Sequence, residues 1–124
     1  MKKIVNLTQH PATPEQIAAG VEDLRGPALE ALRECLTFDA LPTRFDIEVA
    51  AEAIATLAAT GLEYEAAMIG GAPWLMAPLE AALRRYGVRP LYAFSRREVA
   101  EEAMPDGSVR KVAVFRHVGF VEAV

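Results

Sequence analysis

Residues Ala66-Ala67-Met68-Ile69 make a short apolar run that meets Gly70-Gly71 and then Ala72-Pro73-Trp74. A run of this length bounded by glycines reads as a buried strand, and a proline at the first helical position opens a helix. The segment therefore predicts a strand, a tight turn and a helix in direct succession, which is the repeating step of an α/β sheet. The helix carries Leu75, Leu79, Ala82, Leu83 and Tyr86 toward a core and stops at Gly87.

The flanking sequence repeats the alternation. Residues 4–8 are apolar and β-branched with Asn6 as the exception, and they end at Gln9-His10-Pro11, a strand followed by a loop. Thr13-Pro14-Glu15-Gln16 combines an N-cap hydroxyl, a proline and a capping-box Gln, so a short helix starts at Pro14 and ends by Gly20. Val21–Leu24 reads either as a brief strand or as an extended link. Pro27 opens a second helix through Leu29, Leu32 and Leu36, and Thr43 with Asp46 caps a longer one closed by Gly61. Pro90–Phe94 is another apolar strand that reaches Ser95-Arg96-Arg97. Glu98–Met104 and Val109–Phe120 then flank Pro105-Asp106-Gly107-Ser108, a hairpin turn between two antiparallel strands.

The expected fold is a single three-layer Rossmann-like α/β domain spanning residues 1–124, with parallel strands 4–8, 66–70 and 90–94 and a C-terminal antiparallel hairpin that makes the sheet mixed. A chain of 124 residues with 52% hydrophobic and 24% charged residues has the apolar content for one core and is not a disordered sequence.

Charge and cysteine content narrow the function. A net charge of −4 argues against an extended nucleic-acid partner or an anionic membrane. Between Arg84 and His117, however, basic residues outnumber acidic ones by eight to four, a cationic region suited to a small anion or an acidic partner. Cys35 is the only cysteine, which excludes an internal disulfide and fits a reducing, cytoplasmic compartment. The apolar stretch after Met1-Lys2-Lys3 is broken by Asn6, Thr8 and Gln9, so neither a signal-peptide core nor a membrane span is expected.

Open α/β sheets bind ligands at the carboxyl ends of their strands. That rim gathers Asn6, Thr8, Gln9, His10, Gly70, Gly71, Ser95, Arg96 and Arg97. His10 is the candidate general acid or base. Asn6, Thr8, Gly70, Gly71, Ser95, Arg96 and Arg97 are the candidate ligand contacts, with backbone amides at Gly70-Gly71 and a guanidinium as the anion-binding groups. Each has a plainer reading: the glycines serve a tight turn, one arginine pairs with Glu98, Glu101 or Glu102, and Asn6 orients the His10 loop. His117 and Cys35 read as structural, Tyr92 and Trp74 as core anchors, with stacking on a flat ligand as the alternative for Trp74. No GxGxxG or GxxxxGK[ST] is present, and the two histidines have no metal-ligand spacing, so no metal or cofactor is expected.

The segments NLTQHPAT, AMIGGAPWLMAPLE and YAFSRRE with DGSVRKVAVFRHVGF resemble a family of small bacterial and mobile-element proteins without assigned function, over nearly the whole chain. The resemblance implies no catalytic assignment. In layout alone the chain is similar to small Rossmann-like domains of CRISPR defence that bind or cleave cyclic oligoadenylates, none of whose diagnostic motifs is matched. The expected function is binding of a small anionic or nucleotide-like ligand at the rim, with phosphoester hydrolysis as the chemistry His10 and an arginine would support. The competing expectation is a non-enzymatic interaction module whose hairpin and Trp74 helix serve a homodimer or partner interface. A homodimer is expected in its own right, because a hairpin apolar on both faces needs cover that few helices supply.

Overall fold

The computed structural model describes residues 3–60 and 64–124. Its elements are β1 (Ile4–Asn6), α1 (Pro14–Ala18), β2 (Val21–Asp23), α2 (Gly26–Leu36), α3 (Arg44–Ala59), β3 (Ala66–Met68), α4 (Pro73–Arg85), β4 (Arg89–Ala103) and β5 (Val109–Glu122). They build an α/β fold around a mixed five-stranded sheet ordered β2-β1-β3-β4-β5. The first four strands in that order are parallel and the last pair antiparallel. Residues 4–8, 66–70 and 90–94 thus supply parallel strands, and Val21–Asp23 resolves as a strand rather than a link.

Local chemistry sets the helix starts. The Thr13 hydroxyl accepts from the Gln16 N–H while the Gln16 side chain accepts from the Thr13 N–H, and Thr43 and Asp46 repeat the arrangement at α3. The predicted stop at Gly61 lies outside the described residues; α3 ends with Thr60 as its cap. The Pro73 start of α4 holds, and Gly87, at φ +74°, follows its end.

The sheet has unequal faces. Val5, Leu7, Ala67 and Ile69 pack with Leu32, Leu36, Ile54, Leu75, Leu79 and Leu83 from α2, α3 and α4, which form the main core. On the other face Ile4, Val21, Ala66, Met68 and Leu91 are buried with only Ala12 and Phe120 packed against them. The expected third layer is therefore thin: α1 is five residues long and buries none of them.

Three expectations need correction. Strand 90–94 and the following hairpin strand are one continuous element, β4, with no break at Ser95-Arg96-Arg97. Nothing from Leu91 to Met104 turns the chain, and β5 pairs along its whole length from Leu91 to Ala103, so charged residues stay extended. Beyond Leu91 the pair leaves the sheet as a two-stranded arm; at about 3.4 Å per residue, Phe94 to Ala103 extends it by about 30 Å. Tyr86 turns away from the core and gives its hydroxyl to Glu52 at the surface. Trp74 is half-exposed, edge-on to Phe38 with ring centroids 5.9 Å apart, and lines a surface groove beside Phe45 while its neighbour Leu75 enters the main core.

Among the described residues no helix is long and apolar enough to cross a membrane.

Candidate functional site

β1 leads to β2 on one side and the chain then returns to β3 on the other, so the crevice above β1 and β3 is the point where strand order reverses, the place such sheets offer to ligands. The loop after β1 stands there, and its shape is fixed by Asn6. The Asn6 Nδ2 donates to the His10 carbonyl at 2.7 Å and to Asp23 Oδ1 at 2.8 Å, while its Oδ1 accepts from the Thr8 N–H at 2.9 Å and the Thr8 hydroxyl at 2.7 Å. Every hydrogen-bonding position of this buried amide is used. Asp23, at the end of β2, also accepts from the Ala12 N–H at 3.0 Å. The bond from the Thr8 N–H back to the Asn6 side chain curls the backbone and ends β1 two residues before the expected Thr8.

Two clefts flank this loop and share Thr8, Gln9, His10 and Pro11 as a wall. The first, of about 490 Å³, lies over the ends of β1 and β3 and beside Tyr92 and Ala93 of β4, with Gly70, Gly71, Thr13 and Gln16 on its other sides. Gly71 has φ +141°, which L side chains rarely adopt, and it carries the chain from β3 into the amino terminus of α4. The Tyr92 hydroxyl donates to Glu80 at 2.6 Å, and burial together with that carboxylate pushes it up to about 12, so it stays protonated at neutral pH.

The second cleft, of about 780 Å³, runs from the ends of β1 and β2 along α2, and its lining includes Asn6, His10, Asp23, Arg25, Leu29, Arg33 and Tyr64. Arg25, Leu29 and Arg33 repeat every four residues at and beyond the amino end of α2, so they fall on one helical stripe. Glu22 pairs with Lys3 at 3.9 Å and Asp23 is engaged by Asn6 and Ala12. Among the described residues Arg25 and Arg33 have no carboxylate partner, which leaves two cations facing a concave wall.

The structure thus brings Thr8, His10, Gly70 and Gly71 to one rim cleft, with Asn6 beneath the loop. Ser95, Arg96 and Arg97 line neither cleft, because the strand carrying them continues into the arm. Arg96 lies opposite Arg116 and Arg97 opposite Phe115, so the two guanidinium groups point to opposite faces, as strand alternation requires. Arg25 and Arg33 were missed in the sequence. Their spacing was visible, but the cleft that gives it meaning forms only when α2 folds back along β2. His117 stacks on Phe120 at 4.9 Å between ring centroids, far along the chain from the rim, and its Nδ1 is buried without a partner among the described residues. Cys35 is half-buried on α2, and burial and Glu34 push its thiol up, which disfavours the reactive thiolate. Among the described residues no group of three or more His, Cys, Asp or Glu is placed to hold a metal ion.

A mixed α/β sheet with clefts at the carboxyl ends of its parallel strands defines the class: a small α/β protein with an open-sheet rim. The chain belongs to the Uncharacterized protein MJ1673 family, whose description matches residues 2–121. That agrees with a family lacking an assigned function and gives no support to the bacterial and mobile-element grouping. No curated protein and no solved structure matches the chain.

Proposed function

We propose that the protein binds a small anionic, nucleotide-like ligand at the carboxyl rim of the sheet, held by the loop from Thr8 to Pro11. The observation that carries this reading is the pair of arginines, Arg25 and Arg33, lining a cleft of about 780 Å³ beside His10 with no ion pair of their own among the described residues, while the carboxylates of that cleft, Glu22 and Asp23, are engaged by Lys3 and by Asn6 and Ala12. An unpaired guanidinium at a concave site suits phosphate or carboxylate, which it grips through paired N–H donors. Gly70, Gly71 and the start of α4 add backbone N–H groups on the far side of the His10 loop, where the helix dipole favours negative charge. Asn6 is a positioning residue in this reading. Ser95, Arg96 and Arg97 contribute only if the arm of another copy brings them to the rim. Strand order β2-β1-β3-β4, with its reversal at the His10 loop, supports the Rossmann-like description.

Were the ligand a phosphoester, His10 would be the group able to transfer a proton to it or to an attacking water. A ligand of this kind, one domain and a single unreactive cysteine together suit a cytoplasmic protein. The test is a thermal melt of the protein against mononucleotides, cyclic nucleotides and sugar phosphates. A ligand at a hundredfold excess over its Kd should stabilise by about 2.7 kcal/mol. Arg25→Ala and Arg33→Ala should each abolish most of that shift and His10→Ala should spare it; an unchanged shift in both arginine variants rejects the site.

A second reading, a non-enzymatic homodimeric module, is favoured by one observation. The arm exposes Val99 and Phe115 at 69% and 71%, and a two-stranded ribbon standing alone in water is only marginally stable. The two readings are compatible, since the arm and the clefts are different surfaces.

A further inference from the structure

Beyond Leu91 the edge of β4 that faces β3 has no strand beside it among the described residues. The Leu91 carbonyl accepts from Ile69 on that side and the Pro90 carbonyl accepts from Ala123 on the other, while the Met104 N–H still bonds toward β5 at Ser108. Alternation therefore turns the N–H and C=O groups of Ala93, Ser95, Arg97, Val99, Glu101 and Ala103 toward the bare side. Such an edge is a template for another strand: beyond Leu91 it has no proline, no helix covers it among the described residues, and the one register irregularity places its extra residue on β5, so its charged side chains are what decides which strand it accepts.

The sequence along this edge, Arg96-Arg97-Glu98-Val99-Ala100-Glu101-Glu102, sets two arginines before Val99 at mirror positions to two glutamates after it, with Glu98 falling opposite the neutral Ala100. We propose that β4 pairs with β4 of a second copy of this chain, antiparallel, across a two-fold axis at Val99. Arg97 of each copy then stands opposite Glu101 of the other and Arg96 opposite Glu102, with Val99 opposite itself. Opposite charges directly across an antiparallel pair attract and like charges repel, which selects this register. Moving the axis to Glu98 sets that carboxylate against itself, and moving it to Ala100 sets Glu98 against Glu102. Half-steps place opposite residues on different faces, which the pleat forbids.

Among the described residues Arg96, Arg97 and Glu101 form no ion pair, whereas Glu98 and Glu102 are held by Arg116 and Arg110 at 3.1 and 2.8 Å. Arg97 and Glu101, left over in one chain, would satisfy each other across the axis, and Arg96 would join the Glu102–Arg110 pair of the second copy. Pairing joins the two arms into a four-stranded sheet, β5-β4-β4-β5, which exceeds the three strands that an independently stable sheet with an apolar face needs. An isologous contact of this kind closes on itself and does not propagate into a filament. The proposal rests on the homodimeric reading and adds its surface and register.

Charge exchange tests it, using two residues without intrachain ion pairs. Light scattering at high micromolar concentration should give twice the 13.5 kDa chain mass for the unmodified protein. Arg97→Glu alone opposes two carboxylates and Glu101→Arg alone opposes two guanidinium groups, so each should give the mass of one chain with an unchanged circular dichroism spectrum. Mixing the two variants should restore the double mass, because every opposed pair is again Arg with Glu. An unmodified protein that is monomeric overturns the dimer and this pairing together. A dimer that persists in both single variants overturns the pairing and leaves the dimer standing.

Discussion

Gly70 and Gly71 sit side by side at the rim and depend on glycine for different reasons. At Gly71 the backbone itself, at φ +141°, strains any L side chain, whereas a Cβ at Gly70 would meet only the Thr8 methyl at 3.6 Å, an ordinary contact. Gly71→Ala should therefore cost about 1 kcal/mol or more in a denaturant melt. Gly70→Ala should leave the melt unchanged and weaken ligand binding, because the added methyl occupies space that a ligand needs to reach the backbone. Equal stability of the two variants would remove the backbone argument. Tyr92, in the same cleft, gives a pH dependence whose sign is set by its raised value. Between pH 10, the ordinary value, and about 12 the unfolded chain loses a proton that the folded chain keeps. Stability contributed by this group is complete below pH 10 and is lost as pH rises through that window. Tyr92→Phe should flatten the fall in stability over this range, as read by urea unfolding at stepped pH; an identical slope would show that the Glu80 contact does not hold the phenol neutral.

At the scale of elements, what was legible in the sequence is what is decided locally. The Thr13 and Thr43 caps bond within four residues of themselves, and the Gly-Gly-Ala-Pro junction fixes a turn and a helix start without reference to the rest of the chain. Strand ends were not legible in the same way. β1 stops early because the Asn6 side chain captures the Thr8 N–H, and Asn6 is itself aligned by Asp23, seventeen positions away. The run from Ser95 to Ala103 carries too many charges to read as the continuation of a strand. It is one because β5, folding back beyond the Asp106-Gly107 turn, pairs with it. The site divides similarly: alternation of strands and helices foretold the rim and its His10 loop, while Arg25 and Arg33 acquire a shared cleft only through tertiary packing.

For the whole molecule, the division of surfaces follows from topology. The reversal of strand order puts a loop and two clefts at one end of the sheet, and the antiparallel strand β5 draws β4 past its parallel neighbours into an arm. The helical side of the core packs α2, α3 and α4 under the sheet beneath the clefts, so the rim is formed without a ligand. The central claim is that the rim binds a small anion through the His10 loop. It is tested most directly by mapping backbone amide chemical shifts as a cyclic or linear nucleotide is titrated into the isotopically labelled protein. The expected result is saturable change confined to Thr8, Gln9, His10, Arg25, Arg33, Gly70 and Gly71, with the arm unmoved. Changes centred instead on the groove between α3 and α4, around Phe45 and Trp74, or no saturable change with any nucleotide, would contradict it.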